Sequence, residues 1–245
     1  MRGERLGWKD STSHATQDPW SCSMATISSL PIFPLGVVLY PHERLPLHIF
    51  EPQYKEMIRT CMDKGVPFGV VLFDEGATAE VGCTATVVSV VSQYDDGRMD
   101  ILVEGLQRFR ILQLYPENPY ITAEVELIAE PLEAPERDLK ERAITQHMKL
   151  LELAGRTVRP SLYQDVQEVS FVMAHNAGLT LRQKQKVLEL PGERDRIAYL
   201  VDHFEEMIPR VEQMEDLKRK IQSNGHFQDF PSEGESSEGE NDEDT

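Results

Sequence analysis

Histidine and cysteine are the side chains best suited to nucleophilic, acid–base or metal chemistry, and here their spacing organises none of it. The seven histidines, His14, His42, His48, His147, His175, His203 and His226, are scattered. The three cysteines, Cys22, Cys61 and Cys83, include no Cys-x-x-Cys pair. No His-Glu-x-x-His pair occurs, and no Gly-x-Ser-x-Gly elbow to expose a nucleophile. No Gly-Lys dipeptide occurs, so a Walker-type phosphate cradle is excluded. His42 and His48 flank a turn, but a metal there would need further ligands that the sequence does not supply. Cys61 falls in the middle of an apolar helical stripe, and Cys83 lies in the strand-like run Val-Gly-Cys-Thr-Ala-Thr-Val. Both are read as packing residues, against the alternative of a cysteine-dependent hydrolase. No cofactor is expected.

Composition narrows the function further. The 245 residues carry a formal net charge of −17, with 40% hydrophobic content. Such acidity argues against nucleic acid, whose non-specific affinity comes from phosphate neutralisation, and against an anionic membrane surface. Eight acidic residues and no Lys or Arg follow Lys220; subtracting those eight from −17 leaves −9 on the rest. Sparse, odd-numbered cysteines suit a reducing cytoplasm. No apolar run approaches the ~18 residues of a membrane span, and the N-terminus has no secretory apolar core.

The elements follow from pattern and punctuation. Residues 1–26 are polar and aperiodic and are expected to be disordered; Met24, just before the first core-like segment, is a candidate translation start. Residues 30–50 form a proline-punctuated apolar stretch, read as strands at Val37–Tyr40 and Leu45–Phe50 around a turn at Pro41–Arg44. Tyr54, Met57, Ile58, Cys61 and Met62 share one helical face, with Pro52 suited to the first turn and Gly65 to the stop. Residues 67–128 read as β structure: a buried run Phe68–Phe73, a Val/Thr-rich run Glu80–Tyr94, a hairpin turn at Asp95-Asp96-Gly97, and runs Met99–Val103, Leu106–Tyr115 and Tyr120–Ile128. Gly105 predicts a bulge or a close backbone approach.

At Ala129–Glu136 the composition shifts to Pro and Glu, marking the boundary between a β domain, residues 27–130, and a helical bundle, residues 131–222. Helices are expected over Arg137–Ala154, from Pro160 to Ala177, over Leu181–Leu190 behind a Thr180/Gln183 capping box, and over Glu193–Gln222 with Pro209 inside. Residues 223–245 read as a disordered acidic tail. The fold class is α+β.

These residues carry a resemblance. Leu30-Pro31-Ile32-Phe33-Pro34-Leu35, then Val37–Pro41 and Leu45-Pro46-Leu47, resemble the opening of the Lon protease N-terminal domain. Glu80-Val81-Gly82-Cys83-Thr84-Ala85, the Asp96-Gly97 turn, Val103-Glu104-Gly105-Leu106-Gln107-Arg108-Phe109-Arg110-Ile111 and Tyr120–Val125 are similar to its later motifs, in order, within residues 28–222. The resemblance implies a PUA-like β pseudo-barrel followed by a helical bundle. In Lon proteases this region engages substrate polypeptides and helps assemble the hexamer without being catalytic. The expectation is therefore a stand-alone, non-catalytic polypeptide-binding module, an adaptor in proteolysis or protein quality control. Its expected partners are unfolded or partly folded polypeptides and a Lon-type protease. RNA binding, which PUA-like folds often host, is the alternative that the acidity disfavours. The expected contact surface is His48, Phe50, Glu51, Gln53 and Tyr54; in the competing reading, Phe50 and Tyr54 staple the helix to the barrel.

Overall fold

Prolines decide where the first strands can lie. A computed structural model describes residues 25–116, 119–131, 133–157, 159–164 and 166–224. The expected N-terminal extension through Met24, with Cys22, and the tail from Gly225 onward lie outside the described residues. Strand β1 is Thr26–Leu35, so Thr26 belongs to the sheet and not to the extension. Its first half pairs antiparallel with β7 (Thr122–Leu127), and its second half pairs parallel with β3 (Phe68–Asp74). The Ile32 amide donates to the Ile121 carbonyl on the β7 side. Backbone direction alternates along a strand, so the Pro34 nitrogen also points to that side, beyond the last β7 partner. Both prolines of β1 thus fall where no ladder donor is needed.

Val37–Tyr40, expected to be a strand, is not one. Val38, Leu39 and Tyr40 are buried, but their backbone forms a connection ending in a tight turn. That turn is pinned to Gly105: the His42 amide donates to the Gly105 carbonyl (2.8 Å), and the Gly105 amide to Glu43 (2.9 Å). A Cβ on Gly105 would lie 2.2 Å from the Tyr40 carbonyl oxygen, so only glycine permits this approach. β6 runs unbroken over Met99–Tyr115, but its register with β5 shifts between the Ala85–Gly105 and Cys83–Arg108 pairs, so the expected irregularity and the close backbone approach both fall at Gly105.

The remaining pairings close most of a cycle. β6 lies between β7 and β5 (Val81–Gln93), β5 pairs with β3, and β3 returns to β1. Because β1 uses half its length for each neighbour, the result is a pseudo-barrel and not a closed barrel. β4 (Ala77–Thr78) extends β3 in a small hairpin. Among the described residues β2 (Arg44–Ile49) pairs only with β6, so Pro46 sits on an edge strand opposite Leu102. Gly97, at φ 81°, makes the expected β5–β6 turn, its amide donating to Tyr94. Helix α1 (Pro52–Lys64) ends at Gly65 (φ 63°) and buries Met57, Ile58 and Cys61 against Phe33, Phe68, Ile101 and Val103. Met62, placed on the same stripe by periodicity, is 42% exposed.

Residues through Ala129 form one compact unit, and those from Glu130 another. The second unit contains α2 (Arg137–Leu153), α3 (Val169–Asn176), α4 (Leu181–Glu189) and α5 (Glu193–Asn224), which takes in the first two residues of the expected tail. The Thr180/Gln183 capping box is present. The expected helix from Pro160 to Ala177 is instead a 3₁₀ turn, Pro160–Tyr163, and the separate α3. The break has a tertiary cause. The start of α3 is held by a carboxylate from α5: the Ser170 amide and hydroxyl donate to Glu193 at 2.9 and 2.5 Å. Arg196, fully buried, completes this hub with Glu130 at 2.9 Å, Glu193 at 3.0 Å and the Ser170 hydroxyl at 2.9 Å, and covers the Phe171 ring.

Candidate functional site

The five residues expected to form the contact surface fall on the end of β2 and the entry of α1, and the structure divides them. β2, the first part of β6 and the second half of β5 form a three-stranded arm with His48 opposite Asp100 and Asp100 opposite Ser92. Pro46 has no N–H, so β2 residues 44, 46 and 48 occupy pairs without ladder bonds, where side chains approach most closely. Arg44 and Glu104 accordingly meet at 3.1 Å, and His48 Nδ1 and Asp100 Oδ1 at 2.5 Å. The Tyr94 hydroxyl donates to the other oxygen of Asp100 at 2.8 Å. The hydrogen bonds from His48 and then Tyr94 hold the Asp100 carboxyl below the ordinary carboxylate range, while the one to Asp100 raises the Tyr94 phenol. All of this is solvent-exposed, so it orients rings more than it stabilises the fold.

Phe50 stacks on His48 (5.9 Å, 22°), and Tyr94 meets His48 edge-on (6.1 Å, 75°). Phe50 is 58% exposed, which rules it out as a staple. Glu51 is the helix N-cap residue, in extended backbone with no capping hydrogen bond from its side chain, and its carboxylate accepts from the Gln53 side-chain Nε2 at 3.1 Å. Tyr54 turns away from the surface. Its ring lies 4.3 Å from Phe33, packed on the core, and burial raises its phenol pKa. The structure therefore brings His48 and Phe50 together, places Glu51 and Gln53 beside them in sequence at the helix start, and gives Tyr54 the anchoring role.

Residues distant in sequence also belong to this surface. Tyr94 and Asp100 join it through cross-strand register. Val88, Val90 and Val91 of β5 are 44%, 40% and 68% exposed. α1 is tied to the tip of the arm, Lys55 donating to the Asp96 carbonyl and Arg59 to that of Gly97. Beyond that tie, a groove of about 370 Å³ opens between Thr86–Val90 and the end of α1, at Cys61, Met62, Gly65 and Val66.

The two cysteines among the described residues are both buried. Burial pushes the Cys61 thiol up to about 11, opposite to the depressed pKa of a reactive cysteine. Cys83 is fully buried in β5. Among the described residues no cluster of His, Cys, Asp and Glu could hold a metal ion, and no helix is long and apolar enough to cross a membrane.

Comparison with known proteins adds the family dimension. The family model described as ATP-dependent protease La (LON) substrate-binding domain matches residues 29–206. Lon protease of Escherichia coli (strain K12) is 28% identical over 207 residues, covering 78% of this chain and 26% of that protein. Lon protease of Erwinia amylovora is 29% identical over the same length, with the same coverage. The chain thus spans about a quarter of the length of these curated relatives. Two solved structures are alike in fold. The Lon N-terminal domain protein from Xanthomonas campestris has a TM-score of 0.59 at 23% identity, over 72% of this chain and 98% of the other. The N-terminal domain of Mycobacterium avium complex Lon protease has a TM-score of 0.54 at 17% identity, over 73% and 98%.

Proposed function

Because this chain belongs to the LON substrate-binding domain family, we propose that it is a non-catalytic module that binds unfolded or partly folded polypeptides. The observation that carries the reading is the extent of the family match, which takes in most of both compact units. The exposed apolar surface of the arm supports it, since a contiguous patch of this kind marks a site of contact with another chain. Phe50 and Tyr94 offer flat aromatic faces that His48 and Asp100 hold in place. Glu51 and Gln53 supply a polar rim, and Tyr54 supports the surface from below. In the cell the module acts as an adaptor in the cytoplasm, passing clients to a Lon-type protease.

The test is fluorescence anisotropy of a labelled, permanently unfolded protein titrated with this chain. Saturable binding is expected, at least fivefold weaker for Phe50→Ser with its melting temperature unchanged. Absence of binding at 100 μM-scale protein, about the weak end of useful recognition, overturns the reading. So does preferential binding of a single-stranded RNA in the same assay at physiological salt. Recovery of the protease in a pull-down, lost on Phe50→Ser, tests the adaptor role.

A further inference from the structure

Strand β5 has two halves with different neighbours. Cys83, Thr84 and Ala85 are flanked by β6 on one side and by Val70, Gly69 and Phe68 of β3 on the other. From Thr86 to Gln93 only β6 runs beside the strand among the described residues. β3 begins opposite Ala85 because the chain arrives there from α1 through Gly65, in left-handed backbone, and Pro67, which has no amide to donate. The place in the sheet that an earlier start of β3 would fill is a notch. One bank is a row of main-chain N–H and C=O groups without a ladder partner on that side among the described residues, and the other is the end of α1.

The side chains around the notch are open and neutral. Met62, Val66, Val88 and Val90 are each 40–44% exposed. None of the nine residues lining the groove is charged, nor is any residue of β5 from Val81 to Gln93, although the whole chain carries −17. Of the cations on α1, Lys55 and Arg59 donate to the hairpin carbonyls, and Lys64, whose charge acts on Cys61, stands at the helix end outside the lining. Proteins ordinarily blunt such an edge with charge or proline. The devices visible here are two register shifts, one between Val87 and Ser89 and one between Val90 and Ser92. They bend the strand and limit how far an added strand can run.

Resting on the polypeptide-binding reading, we propose that the notch takes a short, extended, uncharged segment of an unfolded polypeptide, added as a strand along Thr86–Val91 in line with β3. Main-chain groups on the bank select a main-chain partner, which a helix cannot offer because its own amides are already bonded. Six residues of edge span about 20 Å at ~3.3 Å per residue. Charge matching points the same way. None of the lining side chains is a carboxylate for a basic segment to pair with, Asp63 of α1 not being among them, and an acidic segment meets the repulsion of the whole molecule. Alternate side chains of the segment drop between Met62 and Val90, and the main chain supplies the rest of the affinity.

The test uses the full chain and a labelled seven-residue peptide rich in Val and Thr, with two versions N-methylated at alternate residues on one edge or the other. One methylated version is expected to lose at least tenfold in affinity, while the other binds like the parent, because only one edge faces β5. Val90→Lys is expected to weaken the parent peptide tenfold with its melting curve unchanged. Equal binding of both methylated versions overturns strand addition. If Val90→Lys still binds the unfolded protein at full strength, strand addition fails and the polypeptide-binding reading stands. If neither peptide nor unfolded protein binds, both fail. A dimer in sedimentation that Val90→Lys dissociates, with no peptide binding, assigns the edge to a second copy and overturns the proposal.

Discussion

His147 makes the second unit sensitive to acid, by an amount that can be worked out. Its side chain, on α2, is 1% exposed, with its ring stacked on Phe204 at 5.5 Å and Nδ1 2.7 Å from the Tyr163 hydroxyl. Burial pushes the imidazole down from 6.5 to about 4. The unfolded chain takes up this proton as pH falls through 6.5, and the folded chain does so only near 4. The neutral ring therefore favours the folded state fully above pH 6.5, and that advantage is lost progressively down to pH 4. With 1.36 kcal/mol per pH unit, the loss is ~2 kcal/mol by pH 5. His147→Phe keeps the stacking and removes the titration, at the cost of the Tyr163 hydrogen bond, about 1 kcal/mol. Urea unfolding of both proteins at pH 7.5, 6 and 5 isolates the effect, since the carboxylates titrate in both and cancel. Wild type is expected to be the more stable at pH 7.5 and the variant at pH 5, with the difference swinging by ~2 kcal/mol. A difference that stays constant across this range refutes the reasoning.

Other substitutions probe other parts of the fold. Gly105→Ala drives a methyl into the Tyr40 carbonyl and is expected to cost ~2 kcal/mol or more in chemical denaturation; a neutral result would mean that the turn at 41–43 can move away. Thr180→Ala removes the hydroxyl that accepts from the Gln183 N–H and leaves the reciprocal bond from the residue-180 N–H to Gln183; it is expected to cost about 1 kcal/mol, read as a lower urea midpoint with unchanged slope. Arg196→Leu leaves Glu130, Glu168 and Glu193 around an uncharged side chain and is expected to cost roughly 3–5 kcal/mol. A loss below 1 kcal/mol would show that the carboxylates separate freely.

Local signals were legible wherever one short stretch carried the whole instruction. Pro52 and Gly65 bound α1, Asp96-Gly97 turned the hairpin, and Thr180 with Gln183 opened α4. Failure came where the instruction was shared between distant residues. Val37–Tyr40 has the apolar run of a strand, but strands need ladder partners, and its turn is fastened to Gly105, far along the chain. The break between Tyr163 and Val169 depends on Glu193. In the candidate site the helix entry and Phe50 were readable, because they are contiguous in sequence. Tyr94 and Asp100 were not, since strand register alone brings them to His48. Tyr54 opens the apolar stripe of α1, so its spacing allowed both readings, and its packing on Phe33 gives it the anchoring one.

The Glu193 cap has a consequence for how the chain is made. Ser170 leaves the ribosome 23 residues ahead of the carboxylate that fastens it. At ~5–20 residues per second, that is a wait of roughly 1–5 s. An eight-residue helix does not persist alone in water for such a time. The nascent segment around Phe171 and Met173 therefore travels as open, apolar chain until α5 begins. A messenger cut short before codon 193 would yield a second unit with α3 unfastened, itself a client for the machinery that clears unfolded protein.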